Sequence, residues 1–273
     1  MSTNALDFWL LERLRLSVGA GAKWQIRPAS PELRASGAAI DTRALTPGQI
    51  FFALKGERTD GHRFLRQAAD AGAALAIVDQ PDAIEPLGED TRMPVLAVPD
   101  VEAALIKIAR AYRKALEGTR VIAVTGSAGK TTTTRLIDAV LRTRFRGSAS
   151  IRSFNNRLGV SLTILNAGPR DQYLVSEVGT SGPGEIAELA ALLEPSIAVI
   201  TLIGRAHLEG LGSIEGVAAE KAALAQGVRA GGLAIVPSGC TILEPHLRGL
   251  SAVVRVGEEP DADVRLTSIE QDE

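Results

Sequence analysis

Eight consecutive residues, Thr125-Gly126-Ser127-Ala128-Gly129-Lys130-Thr131-Thr132, follow the apolar run Val121-Ile122-Ala123-Val124 and precede a helix-forming stretch. Such a segment binds polyphosphate. A strand that passes through a glycine-rich turn into a helix delivers free backbone N–H groups at the helix N-terminus, which is an anion cradle. Gly126 and Gly129 let the backbone approach phosphate oxygens, the Lys130 ammonium reaches the terminal phosphates, and the Thr131 hydroxyl is a magnesium ligand. Ser127, Ala128 and Thr132 supply further backbone donors. The usual spacing is G-x-x-x-x-G-K-[ST], and here the position of its first glycine is Val124, so the loop is shorter than the standard form. The alternative is an ordinary glycine-containing strand-to-helix turn.

Other residues fall where they can serve that loop. Glu177 ends a strand-like run at the edge where open α/β sheets place ligands, and a carboxylate there suits magnesium beside a triphosphate; the alternative is a solvated acid. His207 follows the run Ile197–Leu202 by a short loop and falls on the same edge, where a neutral imidazole can ligate a metal; a surface or core histidine is equally compatible. Asn155 and Asn156 offer paired amides suited to a peptide or carboxamide group, or to a polar turn. Lys221 alone reads as a surface lysine.

The elements that must position these groups alternate along the chain. Leu6, Trp9, Leu10 and Leu14 recur at helical spacing after a cap at Ser2 or Asn4, which predicts one short amphipathic opening helix. Apolar runs at Gln49–Leu54, Ala74–Val78 and Val95–Val98 alternate with helical stretches at His62–Ala71 and Val101–Leu116, an α/β unit. The hydrophilic stretch Arg113–Arg120, with Gly118 as a helix stop, marks a boundary, giving domains 1–117 and 118–273. Beyond it, strands at Val121–Val124, Tyr173–Val178, Ile197–Leu202 and Leu233–Val236 alternate with helices at Thr131–Leu141, Glu185–Leu193 and Ser213–Val228. That order predicts a mostly parallel, doubly wound sheet, with further strands at Ala252–Val256 and Val264–Leu266.

At 273 residues and 45% apolar composition the chain can bury a substantial core. Thirty basic and thirty-two acidic residues leave a net charge of -2, so no global field recruits nucleic acid or an anionic membrane, and phosphate binding must be local. The single cysteine, Cys240, cannot form an internal disulfide, which fits a reducing cytoplasm and equally a chain that simply uses no disulfide. No apolar run reaches the roughly 18 to 20 residues of a membrane helix, and the charged N-terminus is unlike a signal peptide.

The Thr-Gly-Ser-x-Gly-Lys-Thr-Thr loop resembles the shortened P-loop of the Mur ligases, cytoplasmic enzymes that build the peptidoglycan stem peptide. Asp41-Thr42-Arg43 through Lys55-Gly56, followed by Asp60-Gly61-His62, resembles the UDP-sugar-binding N-terminal domain of that family. Ser153-Phe154-Asn155-Asn156 with Leu158-Gly159-Val160, Glu177-Val178-Gly179 and Ala206-His207-Leu208-Glu209 resemble the branch that joins D-alanyl-D-alanine to UDP-N-acetylmuramoyl-tripeptide. The resemblance covers residues 38 to 236. It implies an N-terminal UDP-muramoyl-peptide-binding α/β domain and a central ATPase domain using ATP and Mg2+. It further implies catalytic roles for Lys130, Glu177, His207 and Lys221, with Thr131, Glu177, His207 and a carbamoylated Lys221 around metal. Thr42, Arg43, Lys55, Asp60 and His62 would line the uridine diphosphate pocket, arginine being suited to bidentate phosphate contact; a salt-bridged structural Arg43 is the alternative. Asn155 and Asn156 would touch the peptide.

Two departures qualify that expectation. Relatives read Thr-Asn-Ile-Gly where this chain has Thr201-Leu202-Ile203-Gly204, and nothing here matches their third domain with its D-x-Y-N-A-N-P motif. The chain is therefore expected to be a fragment, inactive alone, with the full-length chain as a source of the missing domain, since closure excludes water from an acyl phosphate. Alternatives are the ligase that adds the third stem residue, which Phe154-Asn155-Asn156 argues against, a non-catalytic nucleotide- or UDP-muramoyl-peptide-binding protein, and a P-loop GTPase or kinase.

Overall fold

The computed structural model describes residues 5–57, 59–88, 91–151, 154–205 and 208–268. Ser2, Asn4, Ser153, Ala206 and His207 lie outside them. The chain divides into two compact units, one of residues 1–117 with 164–169, the other of residues 118–163 with 170–273.

The first unit opens on two short helices, α1 (Ala5–Phe8) and α2 (Leu11–Val18), where the periodicity predicts one. The break has a non-local cause. Residues Trp9 to Leu11 pair with Leu33 to Ala35 through Leu11 N–H to the Leu33 carbonyl (3.1 Å) and Ala35 N–H to the Trp9 carbonyl (2.9 Å), which holds Leu10 extended. Strands β1 (Lys23–Ile26), β2 (Ala38–Ala39), β3 (Ile50–Phe52), β4 (Leu75–Val78) and β5 (Val95–Ala97) form a sheet in the order β1-β5-β4-β3-β2. All pairings are parallel except β1 with β5. A 3-10 turn (Gly61–Phe64) leads into α3 (Leu65–Asp70), a second 3-10 segment spans Pro81–Leu87, and α4 (Val101–Ala115) closes the unit.

Both faces of β3, β4 and β5 are covered, which is why these strands are continuously apolar instead of alternating. Phe51, Ala76, Val78, Val95 and Ala97 pack with Leu65, Ala68 and Leu87 on one face. Ile50, Phe52, Leu75, Ile77 and Leu96 turn to the other, and all are buried. Each such side chain contributes about 1.5–3 kcal/mol of transfer energy. Helix α4 is capped by Asp100, whose carboxylate accepts from Ala103 N–H at 2.8 Å, and buries Leu105, Ile108 and Tyr112 at helical spacing.

The second unit carries β6 (Arg120–Thr125), α5 (Lys130–Leu141), β7 (Gly147–Ala149), α6 (Arg157–Leu165), β8 (Tyr173–Glu177), α7 (Glu185–Leu193) and β9 (Ile197–Ile200). It continues with α8 (Leu208–Leu211), α9 (Ile214–Gln226), β10 (Leu233–Pro237), α10 (Glu244–Leu247), β11 (Val253–Gly257) and β12 (Val264–Arg265). The sheet order is β12-β11-β10-β9-β6-β8-β7, parallel throughout, the doubly wound sheet expected from the alternation. The chain runs outward from β6 to β7, returns to β8, then crosses β6 to β9. The crossing puts the topological switch beside β6, where open α/β sheets bind ligands outside the strand C-termini. Ile122, Val124, Val175 and Val199 face α5, through Ile137 and Leu141, while the opposite face is covered by α7 and α9 with Ile186, Leu193, Val217 and Ala222 buried.

Candidate functional site

At the C-terminal end of β6 the chain turns through Gly126 and Gly129, both at positive φ (150° and 80°), and enters α5 at Lys130. Glycine is required at Gly126, because a Cβ there would lie 1.9 Å from Thr201 Oγ1. The first intrahelical bond runs from Thr133 N–H to the Gly129 carbonyl (2.9 Å), so the N–H groups of the first turn have no partner within the helix. Lys130 Nζ donates to the Gly126 carbonyl at 2.9 Å, folding over the loop that it would share with phosphate.

Glu177, the last residue of β8 and 2% exposed, pairs in register with Val124 and so stands beside the loop. Its two oxygens are held separately: Thr131 Oγ1 donates to Oε2 at 2.7 Å and Asn155 Nδ2 donates to Oε1 at 2.9 Å. Asn156 Oδ1 accepts from Gly159 N–H at 2.9 Å and thereby caps α6. Both amides are thus engaged inside the protein, Asn155 on the carboxylate and Asn156 on a helix start.

Lys221 is 1% exposed, not the surface lysine that sequence alone suggests. Burial, aided by the charge of Lys130, lowers its pKa to about 8, with Glu220 opposing the shift. Neighbouring Glu220, which the sequence did not single out, is also buried and accepts from Gly184 N–H (2.7 Å) and Ile186 N–H (2.8 Å), fixing the start of α7. A carboxylate at a helix N-terminus complements the exposed N–H groups there. His207 lies outside the described residues.

The loop after β9 closes the other side. Thr201 Oγ1 donates to the Ala128 carbonyl at 2.5 Å, Ser127 N–H donates to the Leu202 carbonyl at 2.9 Å, and Ser127 Oγ exchanges bonds with the backbone of Gly204 (3.0 and 2.9 Å). Leu202 is 41% exposed beside this contact. Thr132 sits on the outer, exposed side of the first turn of α5. The arrangement offers backbone donors, an ammonium, a hydroxyl and a carboxylate within one small region, the groups needed to hold a polyphosphate with a hard cation. Thr131 and Glu177 supply oxygen donors already within hydrogen-bond reach of each other, which suits Mg2+.

In the first unit the candidates cluster at the C-terminal ends of β2, β3 and β4, but bond mostly to neighbouring protein groups. Thr42 Oγ1 donates to Gln67 Oε1 (2.7 Å). Arg43 forks onto Asp41, with Nη2 to Oδ2 at 2.6 Å and Nε to Oδ1 at 2.9 Å, its side chain 85% exposed. Lys55 and Asp60 meet across an isolated antiparallel bridge. His62 is buried, with Nδ1 2.7 Å from Asp60 Oδ1 and Nε2 3.2 Å from both the N–H and Oδ1 of Asp79. Although burial opposes it, bonding from the His62 backbone and ring holds the Asp60 carboxyl below the usual carboxylate range. A cavity of about 430 Å³ lined by Leu33, Arg66, Ala74, Leu87, Met93 and Pro94 opens near the N-terminal ends of β4 and β5 and contains none of the candidates.

Comparison with known proteins fits this geometry. Residues 34–113 match the Mur ligase family, catalytic domain, and residues 124–273 match the Mur ligase middle domain. The chain belongs to the Mur ligase family. Within it, similarity runs to proteins named UDP-N-acetylmuramoyl-tripeptide--D-alanyl-D-alanine ligase: that of Bacillus subtilis is 44% identical over 199 residues, 73% of this chain and 42% of the relative. Its counterpart in Mycobacterium tuberculosis is 35% identical over 253 residues, covering 86% and 49%. Among solved structures, MurF from Acinetobacter baumannii superposes with a TM-score of 0.78 at 29% identity over 96% of this chain and 55% of that one. MurF from Thermotoga maritima in complex with ADP gives 0.67 at 27% identity, over 82% and 51%. The chain spans about half the length of the relatives it matches.

Proposed function

We propose that this chain provides the ATP-binding and UDP-substrate-binding parts of an ATP-dependent amide-forming ligase that adds D-alanyl-D-alanine to UDP-N-acetylmuramoyl-tripeptide. The observation that carries the reading is the convergence of Lys130, Thr131 and Glu177 on one glycine-rich loop at the switch point of a parallel sheet. That the Thermotoga relative was solved in complex with ADP supports use of an adenine nucleotide.

In the reaction a carboxylate oxygen of the tripeptide attacks the terminal phosphorus of ATP and the bond to ADP breaks, leaving an acyl phosphate. The amine of D-alanyl-D-alanine then attacks the acyl carbon, loses a proton and expels phosphate. Phosphoryl transfer needs positioning and charge stabilisation more than a protein nucleophile. The first-turn N–H groups of α5 and Lys130 would face the spreading negative charge. Mg2+, when bound, would neutralise phosphate charge from a place held by Thr131 and Glu177, and Asn155 keeps that carboxylate turned toward Thr131. Lys221, with a pKa of about 8, is partly neutral near physiological pH, the form that takes up CO2 to become a carbamate, and His207 is assigned with it to a second metal. The exposed Arg43, with Thr42 and Lys55, would meet the uridine diphosphate, while Asp60 and His62 shape that edge.

Among the described residues no helix is long and apolar enough to cross a membrane, and the proposed setting is the cytoplasm. Calorimetric titration tests the assignment: Lys130→Ala is expected to abolish ATP binding and leave the UDP-linked tripeptide binding unchanged. Undiminished ATP affinity in that variant would sink the loop's role.

A further inference from the structure

The glycine loop does not hold its shape alone. A hydroxyl has one proton to give, and Thr201 lies 2.5 Å from the Ala128 carbonyl against 3.3 Å from that of Thr125, so the proton goes to Ala128. The Thr201 backbone is itself anchored, its N–H donating to the Thr125 carbonyl at 2.9 Å as an extension of the β9–β6 ladder. This bond therefore runs from a rigid strand end to the middle of the loop.

Its consequence follows from peptide geometry. In a planar trans peptide the C=O and N–H point in opposite directions. Tying the Ala128 carbonyl to Thr201 turns the Gly129 N–H away from β9, at the residue that precedes α5 and its row of free donors. The fit is tight enough that Thr201 also dictates the residue opposite, since any side chain at Gly126 would overlap its hydroxyl. Ser127 fastens the same two segments through Gly204 and Leu202, so the loop and residues 201–204 form one braced unit.

We propose that Thr201 is a positioning residue for the nucleotide site: its hydroxyl sets the Ala128–Gly129 peptide so that the loop presents its N–H groups to phosphate before nucleotide arrives. The proposal rests on the reading of the loop as a phosphate cradle. Preorganised donors bind an anion without the cost of ordering the loop at that moment.

The test titrates Mg-ATP into the 273-residue chain for Thr201→Val, which keeps shape and loses the hydroxyl, and for Thr201→Ser, which restores it. Thr201→Val is expected to weaken ATP binding about tenfold, the size of one lost hydrogen bond, and to move the Gly129 amide resonance. Thr201→Ser is expected to bind within about twofold of wild type with the Gly129 resonance restored, a rescue that general loosening of the fold would not give. Where Thr201→Val does not fold, Thr201→Ala carries the same expectation. Wild-type affinity in the hydroxyl-free variant would overturn the role of Thr201 while leaving the cradle intact. Failure of the cradle itself would show separately, as wild-type binding that Lys130→Ala does not reduce.

Discussion

Both sheets of this protein present polar residues at the C-terminal ends of parallel strands, yet the two edges are wired differently. In the second unit, Lys130, Thr131, Asn155, Glu177 and Thr201 converge on one loop, and the donors at the start of α5 have no partner within the helix. In the first unit, most candidates are satisfied by neighbours: His62 by Asp60 and Asp79, Thr42 by Gln67, Arg43 by Asp41. An edge with unspent backbone donors is built for an anion. An edge whose buried members are paired is built to hold its loops still, leaving recognition to the exposed ones.

His62→Ala should break the comparison most sharply if it is wrong. Removing a buried ring with contacts on both nitrogens leaves a cavity and takes the ring partner from the Asp60 carboxylate, which together should cost about 3 kcal/mol. Both tryptophans, Trp9 and Trp24, belong to the first unit, so their fluorescence during urea unfolding reports it selectively. The expected result is a lower midpoint with ATP affinity unchanged. A stable variant that has lost only UDP-substrate affinity would make His62 a ligand contact instead.

Lys221 sharpens the other side of the contrast, because a buried ammonium lowers stability. With its pKa near 8 against an ordinary 10.5, the folded protein holds fewer protons than the unfolded chain between those values, so stability rises with pH through that window. Below pH 8 the penalty is fully present, about 3 kcal/mol from the size of the shift. In CO2-free buffer, Lys221→Met should therefore be more stable than wild type at pH 7, with the difference fading by pH 10.5. Calorimetric melting at both pH values checks this, and a variant less stable at pH 7 would mean that the ammonium is paired.

How much of this was legible in the sequence depends on how local each cause is. The strand, glycine turn and helix of the loop were readable because Gly126, Gly129 and Lys130 act through backbone geometry within a few residues. The parallel second sheet was readable because its strands and helices alternate with clear apolar runs. Strands β1 and β7 were not, being short and only partly buried, and α6 hid behind the polar turn that Asn156 caps. The burial of Lys221 was invisible because α9 is alanine-rich and packs on both α7 and β9, so its lone lysine looks like a solvent face. The bond from Thr201 to Ala128 depends on β9 lying beside β6, which no local pattern encodes.

Arg43 marks the smallest stability effect and the point where the two edges become alike. Its guanidinium forks onto Asp41 only two residues away and stays 85% exposed, so the pair is strongly screened and organises little beyond its own turn. Arg43→Ala is expected to leave the tryptophan-monitored unfolding midpoint where it was. The same exposure leaves the planar fork able to rotate from Asp41 onto a diphosphate, which it would meet bidentately. UDP-substrate affinity should then fall about tenfold, with ATP affinity untouched. Arg43→Lys should recover only part of the loss, because an ammonium keeps the charge and not the fork. A full recovery would reduce Arg43 to a source of positive charge, and an unchanged affinity in Arg43→Ala would leave it as the structural partner of Asp41.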